Sequence, residues 1–166
     1  MEQTKRKEAR LKEYDYSAPG AYFVTICTKD RIPLLSRVVG AGVLDRPNVE
    51  LLPCGFVADK TIQQLHNFYD HLSVDNYVIM PNHIHILLRV YDTGRSGTPA
   101  PTAANSVVAQ FVSTFKRFCN KDYGENLFQR SYYDHVIRGE EDYREIWNYI
   151  DQNPARWQED ELYKNG

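Results

Sequence analysis

Two histidines separated by one residue, His83 and His85, sit inside the apolar run that extends from Val78 to Val90. In an extended strand, successive side chains point to opposite faces. Both imidazoles therefore share one face, and Ile84 and Ile86 share the other. Two imidazoles held side by side on a rigid backbone can grip one divalent cation. The same pattern also describes two polar residues on a half-exposed strand, so the pair needs support from elsewhere in the chain.

That support comes near the C-terminus. Tyr149 and Asn153 are four residues apart, which stacks them on one face of a helix. A phenol is a poor nucleophile at its ordinary pKa of roughly 10, but it becomes useful when its target phosphate is polarised by a metal ion. An amide oxygen one turn away can bind that same ion. His83, His85 and Asn153 are thus candidate ligands, and Tyr149 is the candidate nucleophile. Tyr132 and Tyr133 are rival tyrosines, but they precede this helix on a segment that reads as a strand, where one of the two faces the core.

These residues need a scaffold, and the hydrophobic pattern supplies one. Residues 21–28 are rich in β-formers and predict a strand. Residues 29–54, broken by prolines and glycines, predict an insertion with a short hairpin around Val49–Leu52. Helical spacing follows over 55–70, then strands over 73–80 and 82–90, paired antiparallel through Pro81-Asn82. Residues 92–104 read as a mobile loop. Asn105-Ser106 caps an amphipathic helix bearing Val108, Phe111, Val112 and Phe115. A fourth strand is predicted over 131–138. The last helix opens on Glu140-Glu141-Asp142 and stops at Asn153 before Pro154, leaving a polar tail anchored by Trp157. The order is a ferredoxin-like βαββαβ with an antiparallel sheet, an α+β fold with an added C-terminal helix carrying the tyrosine.

Composition narrows the function classes. A chain of 166 residues fits a single domain, 1–166, with the charged residues 1–13 as a solvated arm. A net charge of −2 gives no global basic field, so any nucleic-acid contact has to be local. Cys27, Cys54 and Cys119 show no CxxC spacing, which argues against a disulfide framework or a structural zinc site. The N-terminus lacks an apolar signal core and no apolar run approaches ~18 residues, so the chain reads as cytoplasmic.

With these residues in place, the chain resembles the HUH endonucleases, whose metal motif is matched by Met80-Pro81-Asn82-His83-Ile84-His85. More narrowly it resembles single-tyrosine insertion-sequence transposases, above all the REP-associated tyrosine transposases. The likeness runs from about Arg10 to Trp157, through residues 20–28, 128–138 and 149–154. It implies metal-dependent cleavage and rejoining of single-stranded DNA, with hairpin or palindromic ends as the partner. Tyr149 would become joined to a 5′ phosphate, and His83, His85 and Asn153 would hold Mg²⁺ or Mn²⁺. Imidazole and amide-oxygen ligands suit those ions better than a structural zinc does. Lys116, Arg117, Arg130, His135 and Arg138 are candidate DNA contacts. Related insertion-sequence enzymes exchange the tyrosine helix in a homodimer, whereas the REP-associated branch resembles monomers acting in cis. The competing class is a ferredoxin-like, non-catalytic single-stranded nucleic-acid-binding module, which would use stacking aromatics in place of a metal.

Overall fold

The computed structural model describes residues 18–40, 47–92 and 106–163. The expected arm at 1–13 and residues 93–104 of the expected loop lie outside the described residues. The described residues form six strands and three α-helices: β1 (Gly20–Cys27), β2 (Ser36–Val39), β3 (Asn48–Leu51), α1 (Pro53–Phe68), β4 (Leu72–Ile79), β5 (His83–Val90), α2 (Val107–Tyr123), β6 (Tyr133–Val136) and α3 (Gly139–Gln152). The main sheet has the order β4-β5-β1-β6, and all its pairings are antiparallel. With β2–β3 set aside as a separate hairpin, this is the ferredoxin-like arrangement that the hydrophobic pattern predicts.

Alternation along the strands divides the sheet into two unlike faces. Val24, Ile26, Ile84, Ile86 and Leu88 are fully buried against Ile62 and Leu65 of α1 and Phe111 and Phe115 of α2. Burying one side chain of this size contributes roughly 1.5–3 kcal/mol, so this face carries most of the apolar stabilisation. α2 is capped at both ends. Ser106 Oγ accepts from Ala109 N–H at 3.1 Å, and Gly124 takes φ 91° while its N–H donates to Asn120 O. α1 starts so close to the hairpin that a Cβ on Gly55 would collide with the Leu35 carbonyl oxygen.

The opposite face holds a smaller cluster, with Val78, Met80, Leu87 and Ile150 buried and Phe23, Tyr143, Ile146 and Trp157 packed around them. α3 lies here, along with the short 3₁₀ segment Pro154–Glu159. The predicted stop at Asn153 is only half realised. The α-helix does end at Gln152, but Asn153 keeps helical angles (φ −57°, ψ −41°) and the chain continues as a 3₁₀ turn. Proline lacks only a donor that the first helical residues do not need, so Pro154 can open the new turn. The tail consequently folds back over the sheet. Among the described residues no helix is long and apolar enough to cross a membrane.

Candidate active site

His83 and His85 lie on the α3 side of β5, 0% and 3% exposed, with ring centroids 4.4 Å apart. β1 and β5 pair so that Thr25 faces His85 and Cys27 faces His83. The nitrogen of each ring that faces away from the cavity is engaged. Asn82 Nδ2 donates to Leu162 O at 2.7 Å and to Arg31 O at 3.4 Å, which turns Asn82 Oδ1 toward His83. That oxygen can only accept, so His83 Nδ1, 2.9 Å away, carries the proton and leaves Nε2 bare. His85 Nδ1 is hydrogen-bonded to Thr25 Oγ1 at 2.8 Å. Phe23 stacks beside His85 at 5.0 Å and Trp157 beside His83 at 5.8 Å, so neither ring is free to turn.

Tyr149 reaches this pair from α3. Its hydroxyl lies 3.4 Å from His85 Nε2, and Phe23 meets its ring edge-on at 5.9 Å. Asn153, one turn later and 3% exposed, has a buried Oδ1 without a hydrogen-bond partner. His83 Nε2 is likewise buried and has no hydrogen-bond partner. The 3₁₀ turn brings Asp160 to the same point, with Oδ2 3.9 Å from His83 Nε2, and His83, His85 and Asp160 each present a ligand atom within 4.8 Å of the others. Burial pushes the His83 pKa down to about 4, and burial with the neighbouring His83 holds His85 well below the usual imidazole value. Both rings are therefore neutral at neutral pH, as metal ligation requires. Burial, reinforced by Asp160, raises Tyr149 above the ordinary phenol value. Two buried, bare acceptors beside a carboxylate and a second imidazole form a donor set that fits a hard or borderline divalent cation. The adjoining cavity, of about 440 Å³, is lined by Phe23, Arg31, Tyr133, Tyr149, Asp160 and Glu161 among others.

No family model matches the chain. A Haemophilus influenzae protein described as uncharacterized is 29% identical over 173 residues, spanning 95% of this chain and 93% of that one. A solved structure of a REP-associated tyrosine transposase bound to a REP hairpin superposes with a TM-score of 0.57 at 18% identity, covering 94% of this chain and 74% of that one. This chain has the tyrosine transposase fold. A provisionally assigned transposase from Deinococcus radiodurans is 20% identical over 86% of this chain and 97% of its own, but at a TM-score of 0.42 that overlap is too loose to carry an argument.

On this transposase fold the four residues singled out for chemistry, His83, His85, Tyr149 and Asn153, meet at one point. The rival tyrosines part company: Tyr132 packs against the main core, while Tyr133 is 49% exposed and lines the cavity. The five cationic candidates do not behave alike. Lys116 Nζ donates to the carbonyls of Gln129, Arg130 and Ser131 at 2.7–3.1 Å and so fastens a loop. His135 Nε2 lies 3.0 Å from Asp142 Oδ2, which also accepts from Arg138 N–H, so His135 ties β6 to the start of α3. The side chains of Arg117, Arg130 and Arg138 are exposed. Sequence reasoning missed Asp160, Thr25 and Asn82. Asn82 adjoins the histidine motif and Thr25 belongs to a recognised strand, so β-pairing could have suggested both. Asp160 lies in the polar tail with no periodicity to mark it.

Proposed function

We propose that this protein is a metal-dependent single-stranded DNA endonuclease and strand transferase that works through a covalent 5′-phosphotyrosine on Tyr149. The observation that carries the proposal is the convergence of the bare His83 Nε2, the unpartnered Asn153 Oδ1, Asp160 and the Tyr149 hydroxyl around His85. His83, His85 and Asn153, with Asp160 beside them, would hold Mg²⁺ or Mn²⁺. When bound, the ion supplies electrostatic polarisation of the scissile phosphate. The hairpin-bound transposase that shares this fold supports single-stranded hairpin DNA as the substrate class.

The chain's own residues account for the remaining requirements. Phe23 and His85 fix the Tyr149 ring so that its oxygen points into the cavity. In the transfer step the bond between Tyr149 Oη and phosphorus forms while the bond from phosphorus to the 3′ oxygen breaks. The phenol loses its proton and the departing 3′ oxygen gains one. Attack by a 3′ hydroxyl reverses the step, and the conserved number of phosphoester bonds removes any need for ATP.

The test is incubation with a labelled single-stranded hairpin DNA and Mn²⁺, followed by denaturing electrophoresis. A covalent protein–DNA adduct is expected from the parent, and none from Tyr149→Phe. His83→Ala should also lose the adduct while keeping the parent circular dichroism spectrum. An adduct that survives Tyr149→Phe refutes the nucleophile. A parent that binds the hairpin without forming any adduct is the non-catalytic binding module instead.

A further inference from the structure

A second opening lies on the other side of the edge strand β6. It is a cleft of about 780 Å³ between the outer side of α2 and residues 126–132. Lys29, Lys116, Arg117 and Arg130 line it and no carboxylate does, in a chain whose net charge is −2. Lys116 is committed to three carbonyls and holds the 129–131 wall in place. Arg117 and Arg130 are exposed, and among the described residues neither guanidinium has a carboxylate partner. The ring of Tyr132 completes the wall.

This cleft and the active-site cavity share two walls. Tyr132 lines the cleft and the next residue, Tyr133, lines the cavity. Lys29 lines the cleft and Arg31 the cavity, two residues apart in one 3₁₀ turn. Asp30 and Arg31 take left-handed angles there (φ 56° and 55°), a conformation L side chains rarely adopt. The turn is held from both sides. Lys29 N–H donates to Leu127 O at 2.8 Å, and Thr28 N–H donates to Asn82 O at 2.9 Å. Thus the wall of the cleft and the residue that orients His83 are tied to the same short segment. Cations and aromatic residues line both openings, a chemistry suited to a phosphate backbone with unpaired bases.

We propose that the cleft holds the single-stranded DNA flank leading to the scissile phosphate, with Arg117 and Arg130 contacting its phosphates and the exposed Tyr133 stacking a base where the strand rounds β6. The proposal rests on the single-stranded DNA reading above, but it assigns a separate site whose role is affinity rather than chemistry.

The test is fluorescence anisotropy with the full chain carrying Tyr149→Phe, which blocks cleavage, and two labelled hairpins, one with a single-stranded flank and one blunt. The double variant Arg117→Ala/Arg130→Ala should raise Kd for the flanked hairpin by about tenfold at about 0.1 M salt. It should also lower the slope of log K against log salt by about 1.4, the value for two lost single-strand phosphate contacts. The blunt hairpin should change less than about twofold, and Arg117→Lys/Arg130→Lys should recover most of the loss. Unchanged affinity for the flanked hairpin overturns the proposal. So does an equal loss with the blunt hairpin, which would give the cleft to the duplex stem. The adduct assay separates this idea from the chemistry. An adduct-forming parent whose double variant binds the flanked DNA normally refutes only the cleft, and a flank-dependent loss without any adduct refutes only the phosphotyrosine.

Discussion

The residue that decides whether His85 can serve as a ligand is Thr25. A metal-bound imidazole needs a bare Nε2, so Nδ1 must hold the proton and donate it to something. For His83 that acceptor is Asn82 Oδ1, oriented by two backbone carbonyls. For His85 the group in reach of Nδ1 is Thr25 Oγ1, at 2.8 Å on the neighbouring strand, a hydroxyl that can accept as well as donate. Thr25→Val keeps the β-branched shape and removes the acceptor. The proton is then free to move to Nε2, where the Tyr149 hydroxyl at 3.4 Å accepts it and the ligand position is lost. We expect Mn²⁺ affinity, measured by isothermal titration calorimetry, to fall by roughly 10- to 100-fold, with Thr25→Ser close to the parent. Equal affinity in parent and valine variant would show that Thr25 does not set the tautomer.

At the scale of elements, the question is what keeps α3 in register with β5. Ile150 is buried beneath the helix, and the ends of α3 are pinned by polar contacts. Asp75 accepts from Tyr143 Oη at 2.8 Å and from Arg89 Nε at 2.8 Å, while Arg89 lies 4.8 Å from the Tyr143 ring centroid. Asn76 Nδ2 donates to Asp151 at 2.9 Å near the other end. Tyr143→Phe deletes one hydrogen bond, a loss of about 1 kcal/mol in stability, and loosens the helix that carries Tyr149, the proposed nucleophile. In single-turnover assays we expect kcat to fall several-fold with KM near the parent value; a change in KM alone would place Tyr143 in DNA binding. The register itself is legible in the sequence. His83 and His85 alternate with Ile84 and Ile86 on a period of two, and Tyr149 and Asn153 follow the helical period. Asp160 is not legible, because its position depends on a 3₁₀ turn opened by Pro154 and aimed by the packing of Trp157 against His83. The division of the cationic residues is equally hidden. Lys116 and Arg117 are adjacent in sequence, and only the loop that Lys116 binds tells them apart.

For the whole molecule, the buried imidazoles set a pH dependence of stability to which a bound metal should add a separate increment. In the unfolded chain a histidine titrates near 6.5, whereas burial holds His83 at about 4 and His85 lower than its ordinary value. The unfolded state therefore takes up protons first as the pH falls. The contribution of these groups is complete above about pH 6.5 and is lost progressively as pH drops toward 4. For His83 the loss by pH 5 is on the order of 2 kcal/mol. The carboxylates act in another window. Asp142 is held below its ordinary value by the Arg138 N–H and His135, against its own burial, so its contribution disappears only at more acidic pH. In chelator, urea midpoints should fall steadily from about pH 7 to pH 5, and a flat profile would contradict buried neutral histidines. Saturating Mn²⁺ should raise the midpoint at pH 7 by binding only the folded state. The rise should be nearly as large at pH 5, because His83, held at about 4, and His85, held well below its ordinary value, stay mostly neutral in the folded state there. A Mn²⁺ effect that His83→Ala leaves unchanged would place the ion on surface carboxylates and away from His83 and His85.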